Sequence, residues 1–268
     1  MMERRFDTPG DVVIALQIGA GDIAIRTSDT TQTSVHITGY GAENEPRVTC
    51  DPVPGGGYRV TIEHRGKRTW GFSFGRGLDI EVSVPNGARL DGTSGSAELE
   101  IHGTLGSLAF RTGSGDIEFD DVTGDIDLAC ASGDVEGRNV GGHLAFKGAS
   151  GDIDIAAVGG GTTIRSASGD IRIGDLTGSS TITIGSGDIE LGRVAGGVVN
   201  VRAIAGDVHV GVRSGMGVWL DVSSTGGDVH SNLDAAQRSD ESTEPELELT
   251  VNTVSGDIDV VRAAAVSG

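Results

Sequence analysis

Five aspartates, Asp116, Asp134, Asp152, Asp170 and Asp188, recur every eighteen residues, each placed directly after a glycine and before Ile or Val. The surrounding unit reads Ser-Gly-Asp-Ile/Val, and looser copies stand at 205–208 (AGDV), 226–229 (GGDV) and 255–258 (SGDI). Carboxylates at a fixed interval can do two kinds of chemistry. Their hard oxygens can ligate Ca²⁺, or they can accept hydrogen bonds from backbone N–H groups in a turn where Gly supplies φ > 0. Calcium-binding nonapeptide repeats carry Gly-Gly-x-Gly-x-Asp, whereas here Asp follows a single Gly. One oxygen donor per repeat also falls short of the roughly six to eight ligands that Ca²⁺ takes. The five aspartates are therefore expected to form a structural turn ladder, with a row of bound cations as the alternative. No cofactor and no metal centre is predicted.

A second cluster departs from the background. Residues 64–77 (HRGKRTWGFSFGRG) gather Arg65, Lys67, Arg68 and Arg76 around Trp70, Phe72 and Phe74. Aromatic and Arg clusters are typical interface anchors. These seven residues are a candidate partner site for an acidic protein, a phospholipid headgroup or the aspartates of another copy. The alternative is that Trp70, Phe72 and Phe74, which alternate, cover the open first coil. Other chemistry is sparse. His36, His64, His102, His143, His209 and His230 form no metal-binding pair of recognised spacing, and His209 and His230 are expected to face outward on neighbouring coils. No GxSxG, HExxH or phosphate-binding loop is present, so no catalytic residue is predicted.

The elements that must position these residues follow a nine-residue metre. Glycine recurs without slippage from Gly106 through Gly115, Gly124, Gly133 and on to Gly196. Two and four residues after each glycine stand mostly apolar side chains, such as Ile117 and Phe119 or Ile171 and Ile173. Apolar residues two apart lie on one face of a strand, so each nonapeptide is a short strand followed by a glycine bend. The seventh position alternates small and large (Ala131, Val140, Ala149, Val158, Ala167, Leu176), and Ser precedes every second glycine. The true period is eighteen. The fold class expected is all-β, a β-solenoid with about 18 residues per coil, two nonapeptide strands and two unlike corners. One coil cannot bury enough surface to order itself, so coils must stack, and both ends need caps against edge pairing. One elongated domain is expected, with an N-terminal β cap over 1–93, the regular solenoid over 94–210, and a C-terminal β region over 211–268 that contains an acidic loop at 234–248.

Composition narrows the function classes. Gly contributes 45 of 268 residues, yet Pro numbers only 6 and no Gly-X-Y period appears, which excludes collagen. A net charge of −19 repels phosphate backbones and argues against nucleic-acid binding. No apolar run is long enough to insert in a membrane. The first residues show a charged head without an apolar stretch, and two cysteines cannot build a disulfide framework. A cytoplasmic protein is the expectation.

The repeated SGDI units, the segment 78–86 (LDIEVSVPN), the opening with Gly21-Asp22-Ile23, the block 217–233 (GVWLDVSSTGGDVHSNL) and the terminal 253–260 (TVSGDIDV) together resemble a bacterial candidate-adhesin β-strand-repeat family, also called toastrack domains. The resemblance covers about Phe6 to Val261. It implies a right-handed β-helix-like domain that is not an enzyme and is often linked to membrane proteins of envelope-stress systems. The expected function is a non-enzymatic, adhesin-like scaffold or interaction module with a protein partner. The alternative is a carbohydrate-binding or carbohydrate-active β-helix protein. Such an enzyme needs long loops over one face, and the nonapeptides leave no room for them between Gly106 and Gly196.

Overall fold

A computed structural model describes residues 1–41, 44–64, 77–233 and 245–263. They form strands throughout, organised as a β-solenoid, and fall into two compact units, Met1–Arg138 and Asn139–Gly268.

In the first unit, β1 (Met2–Asp7), β2 (Val12–Ser28), β3 (Gln32–Thr38), β4 (Arg47–Pro52), β5 (Tyr58–Glu63) and β6 (Leu78–Pro85) precede the regular repeats. There follow β7 (Arg89–Leu105), β8 (Ser107–Ser114), β9 (Ile117–Val122) and β10 (Ile126–Ser132), and β11 (Val135–Val140) holds the boundary between the units. Although it lacks the nonapeptide metre, β2 is already a complete rung. This seventeen-residue strand pairs in parallel with β7, from Val13 opposite Arg89 to Arg26 opposite His102. On its other side, the first half of β2 pairs with β5 and the second half with β6. Antiparallel strands then close both rows: β4 lies on β5, and β3 lies between β6 and β1.

Side chains of like position stack into buried columns. Val60, Ile14, Leu90, Leu108 and Ile126 succeed one another on one face of the interior, each at most 2% exposed. Ile37, Ile80, Ile23, Leu99 and Ile117 do the same on the other. Where a phenylalanine enters a column, a neighbouring rung makes room. A Cβ at Gly92 would meet the Phe110 ring, and one at Gly137 would meet the Phe119 ring. Large and small residues thus trade volume between rungs, as a close-packed interior requires.

The second unit contains β12 (Leu144–Ser150), β13 (Ile153–Val158), β14 (Thr162–Ser168), β15 (Ile171–Leu176), β16 (Ser180–Ser186) and β17 (Ile189–Val194). After them come β18 (Gly197–Ala205), β19 (Val208–Val212), β20 (Val218–Ser224), β21 (Val229–Ser231), β22 (Leu247–Ser255) and β23 (Ile258–Arg262). Ile153, Ile171, Ile189, Val208 and Ile258 form one vertical column of parallel, in-register neighbours. The two corners differ, though not by both facing inward. Val158, Leu176 and Val194 are buried, whereas Ala149 and Ala167 are exposed, because the inward place before the Ser-Gly-Asp corner belongs to the preceding residue, such as Ser166 or Ile184.

Stacking order parts from chain order at the end of this unit. β22 lies between β18 and β20, and β23 lies between β19 and β21. Apolar content explains the exchange. Leu247, Leu249, Val251, Ile258 and Val260 are fully buried, while β20 and β21 offer Val218, Leu220, Val222 and Val229 among serines and remain half-buried or exposed. The richer rung takes the place covered on both sides.

Glycine is required where the corner turns. Gly187 has φ 133°, and a Cβ there would run into the carbonyl oxygen of Gly169 one rung away. Gly187→Ala is expected to cost about 1–3 kcal/mol from backbone strain alone, while Gly19→Ala, with open space around it, stays within about 0.5 kcal/mol; equilibrium denaturation of both variants checks this. A second measurement concerns Thr162, whose hydroxyl is buried and has no hydrogen-bond partner among the described residues. Thr162→Val keeps the shape and removes an orphan worth about 1–3 kcal/mol, so Tm should rise. A fall would show that the hydroxyl holds a partner.

Candidate functional site

The Ser-Gly-Asp corner carries a repeated hydrogen bond. In the first unit, the Asp134 N–H donates to Asp116 Oδ1 at 2.8 Å. In the second, Asp170 donates to Asp152 at 2.8 Å, Asp188 to Asp170 at 2.9 Å, Asp207 to Asp188 at 2.8 Å, Asp257 to Asp207 at 2.8 Å and Asp228 to Asp257 at 2.8 Å. Each carboxylate therefore accepts from the backbone of the next rung. Like charges about 4.8 Å apart repel by roughly 0.9 kcal/mol in bulk water, and a charge-assisted hydrogen bond per rung offsets this. Among the described residues, no group of three or more His, Cys, Asp or Glu side chains is placed to hold a metal ion.

One inward position beside the corner binds the turn from within. Thr112 and Ser166 donate to the carbonyls of Ser114 and Ser168 at 2.7 and 2.9 Å, and the Cys130 thiol does so to Ser132 at 3.2 Å. Burial pushes the Cys130 thiol up from its ordinary value, which keeps it a protonated donor. It occupies a hydroxyl's place in the pattern, which its sequence neighbourhood did not disclose.

Outward from the corner, the units differ. In the first, Asp79, Asp22 and Glu98 lie on successive rungs, and Glu98 precedes the paired Leu99–Ile117 step just as Asp116 does. Two residues along, Glu100 pairs with Glu118. Glu98, Glu100, Asp116, Glu118, Asp134 and Glu136 line a groove of about 180 Å³, and Asp22, Asp79, Glu98 and Asp116 line an adjoining depression of about 740 Å³. At its margin stand two arginines, Arg26 opposite His102 and Arg138, whose guanidinium lies 3.4 Å from Asp120; His102 Nε2 stands 3.7 Å from Glu100, and His36 lies opposite Glu81. This is an acidic face built by two carboxylate columns.

In the second unit the equivalent outer column alternates. Asp154, Arg172, Glu190, His209, Asp259 and His230 follow one another on successive rungs. Arg172 lies 3.6 Å from Asp154 and 3.0 Å from Glu190, and its hydrogen bond to Glu190 pushes the guanidinium pKa up further. His209 and His230 are two rungs apart with Asp259 between them, because β23 is inserted there. The basic and aromatic cluster of Arg65, Lys67, Arg68, Trp70, Phe72, Phe74 and Arg76 lies outside the described residues.

A family model described as Toastrack DUF4097 matches residues 13–261. No curated protein matches the sequence. A candidate lipid binding protein from Parabacteroides distasonis is 17% identical, with a TM-score of 0.52 over 97% of this chain and 96% of that one. A candidate adhesin from Bacteroides fragilis is 14% identical, with a TM-score of 0.40 over 97% and 96% of the two chains. At such identities the former indicates a shared fold. No helix among the described residues is long and apolar enough to cross a membrane.

The ladder yields a paired test. Asp170→Ala removes the acceptor for the Asp188 N–H and is expected to cost about 0.5–1.5 kcal/mol. Asp170→Asn keeps an oxygen acceptor while removing a like charge, so its Tm at low salt should equal or exceed that of the parent. Thermal melts at two ionic strengths distinguish this from a cation ladder, in which both substitutions would destabilise.

Proposed function

We propose, on the premise that the chain belongs to the Toastrack DUF4097 family, that it is a non-catalytic, adhesin-like interaction module whose acidic face docks a basic protein surface. One observation carries this reading: in the first unit, outward positions repeat the same chemistry rung after rung, so that Asp22, Glu98 and Asp116 and, beside them, Glu100 and Glu118 form columns. Such columns recognise by field and periodicity. Potentials of one sign steer a partner of the other and set the association rate.

The role we read is that of a scaffold, and the family resemblance supports a part in envelope-stress signalling. A cytoplasmic setting suits the two free thiols, Cys50 and Cys130. Catalysis has no part in the reading, because the nonapeptide rungs leave no room for the long loops that would hold acids and bases over one face.

The test uses a lysine-rich peptide as the probe. Binding at low ionic strength should fall steeply with salt, and Glu100→Lys combined with Glu118→Lys should weaken it by about tenfold or more, with melting unchanged. Equal binding by parent and variant, or turnover of a polysaccharide by the chain, would overturn the proposal.

A further inference from the structure

On the opposite sheet of the second unit, the outward positions carry a different chemistry. Lys147, Arg165, Thr183 and Arg202 lie on successive rungs of β12, β14, β16 and β18, in register. Beside them runs a column of hydroxyl and amide groups, Thr163, Thr181 and Asn200. In a chain with 39 acidic and 20 basic side chains, cations are expected to be taken up by carboxylates. Arg172 and Arg193 are, the latter 2.8 Å from Asp175 Oδ2. Lys147, Arg165 and Arg202 have no ion pair and no side-chain hydrogen bond among the described residues, and all are exposed. Their neighbours two residues away along each strand are Ala145, Ala149, Thr163, Ala167, Asn200 and Ile204, none of them acidic. The row runs into a groove of about 490 Å³ where Thr183 and Arg202 face the exposed Ile204 and Val254. Toward its β18 end, carboxylates return with Glu248 on β22 and Asp221 on β20.

We propose that this face binds a linear polyanionic glycan, one sugar per rung, with anionic groups on Lys147, Arg165 and Arg202 and ring hydroxyls on Thr163, Thr181 and Asn200. Three features select that chemistry. The ligand must be periodic along the stack at the rung spacing of about 4.8 Å, which a chain of pyranose rings approximates. An extended acidic peptide repeats its side chains about every 6.6 Å and loses step with the rungs. A nucleic acid strand needs aromatic platforms for its bases along its length; from β12 to β18 the face presents Thr, Asn and Ala, and the exposed Trp219 stands beyond it on β20. The proposal concerns the second unit and stands independently of the acidic face.

Isothermal titration of the full chain with oligogalacturonate long enough to span β12 to β18 tests it, beside its methyl-esterified neutral form, poly-glutamate and phosphatidylglycerol vesicles. Oligogalacturonate should bind, the neutral form should not, and Arg165→Ala with Arg202→Ala should weaken binding by about tenfold or more with Tm unchanged. Thr181→Val, which leaves every charge in place, should weaken it several-fold. No binding of oligogalacturonate, binding indifferent to the arginine pair, equal binding of poly-glutamate, or binding of the vesicles alone would each overturn the assignment. The Glu100/Glu118 double variant should bind oligogalacturonate as the parent does, so that loss of the acidic-face function and loss of this one are separable.

Discussion

Everything in this fold depends on how closely one rung's corner can approach the next. At Gly115, Gly133, Gly169 and Gly187 the backbone has positive φ, and the space where a Cβ would sit is filled by the preceding rung's carbonyl. That approach lets parallel strands keep their hydrogen-bonding distance around a tight bend. It also brings successive aspartates within reach of each other's backbone N–H groups. A residue with a side chain at the glycine would push the rungs apart and break both at once.

The carboxylate ladder is thereby a consequence of the turn. A row of like charges is costly when judged by Coulomb's law alone. Here each carboxylate accepts from the following rung, so its repulsion with the next carboxylate is accompanied by an attraction to that residue's backbone. The ladder's repulsion is offset at the corner itself, and the chemistry that distinguishes the two units lies in the columns beyond it. There the two units diverge: Glu100 faces Glu118 in the first, while Asp154, Arg172 and Glu190 alternate in the second.

A solenoid amplifies single-residue choices in this way. Substituting one outward residue changes one rung of a column, and a column acts on a partner as a whole. The consequence is recognition by repeated weak contacts along a face, which suits extended partners. The inward columns obey stricter rules, since Phe110 needs Gly92 and Phe119 needs Gly137 on a neighbouring strand.

Much of this was legible in the chain itself. The nonapeptide glycines, the apolar pairs two apart and the eighteen-residue recurrence of Ser-Gly-Asp specify strand, bend and stack, because each depends only on local conformation and on side-chain alternation. The same pattern places Asp170 and Asp188 on adjacent rungs. Tertiary structure alone decided the rest. Nothing in the spacing from Gly206 to Gly227 and Gly256 reveals that β22 and β23 enter between earlier strands, since which rung is covered depends on the total apolar surface each can bury. Nor does the spacing reveal that β2 is a complete rung stacked on β7, or that Cys130 stands in for Thr112 and Ser166 beneath the corner. The outer columns, acidic in one unit and basic on one sheet of the other, become surfaces only when residues far apart in sequence are brought into register, because a short strand cannot specify its neighbours.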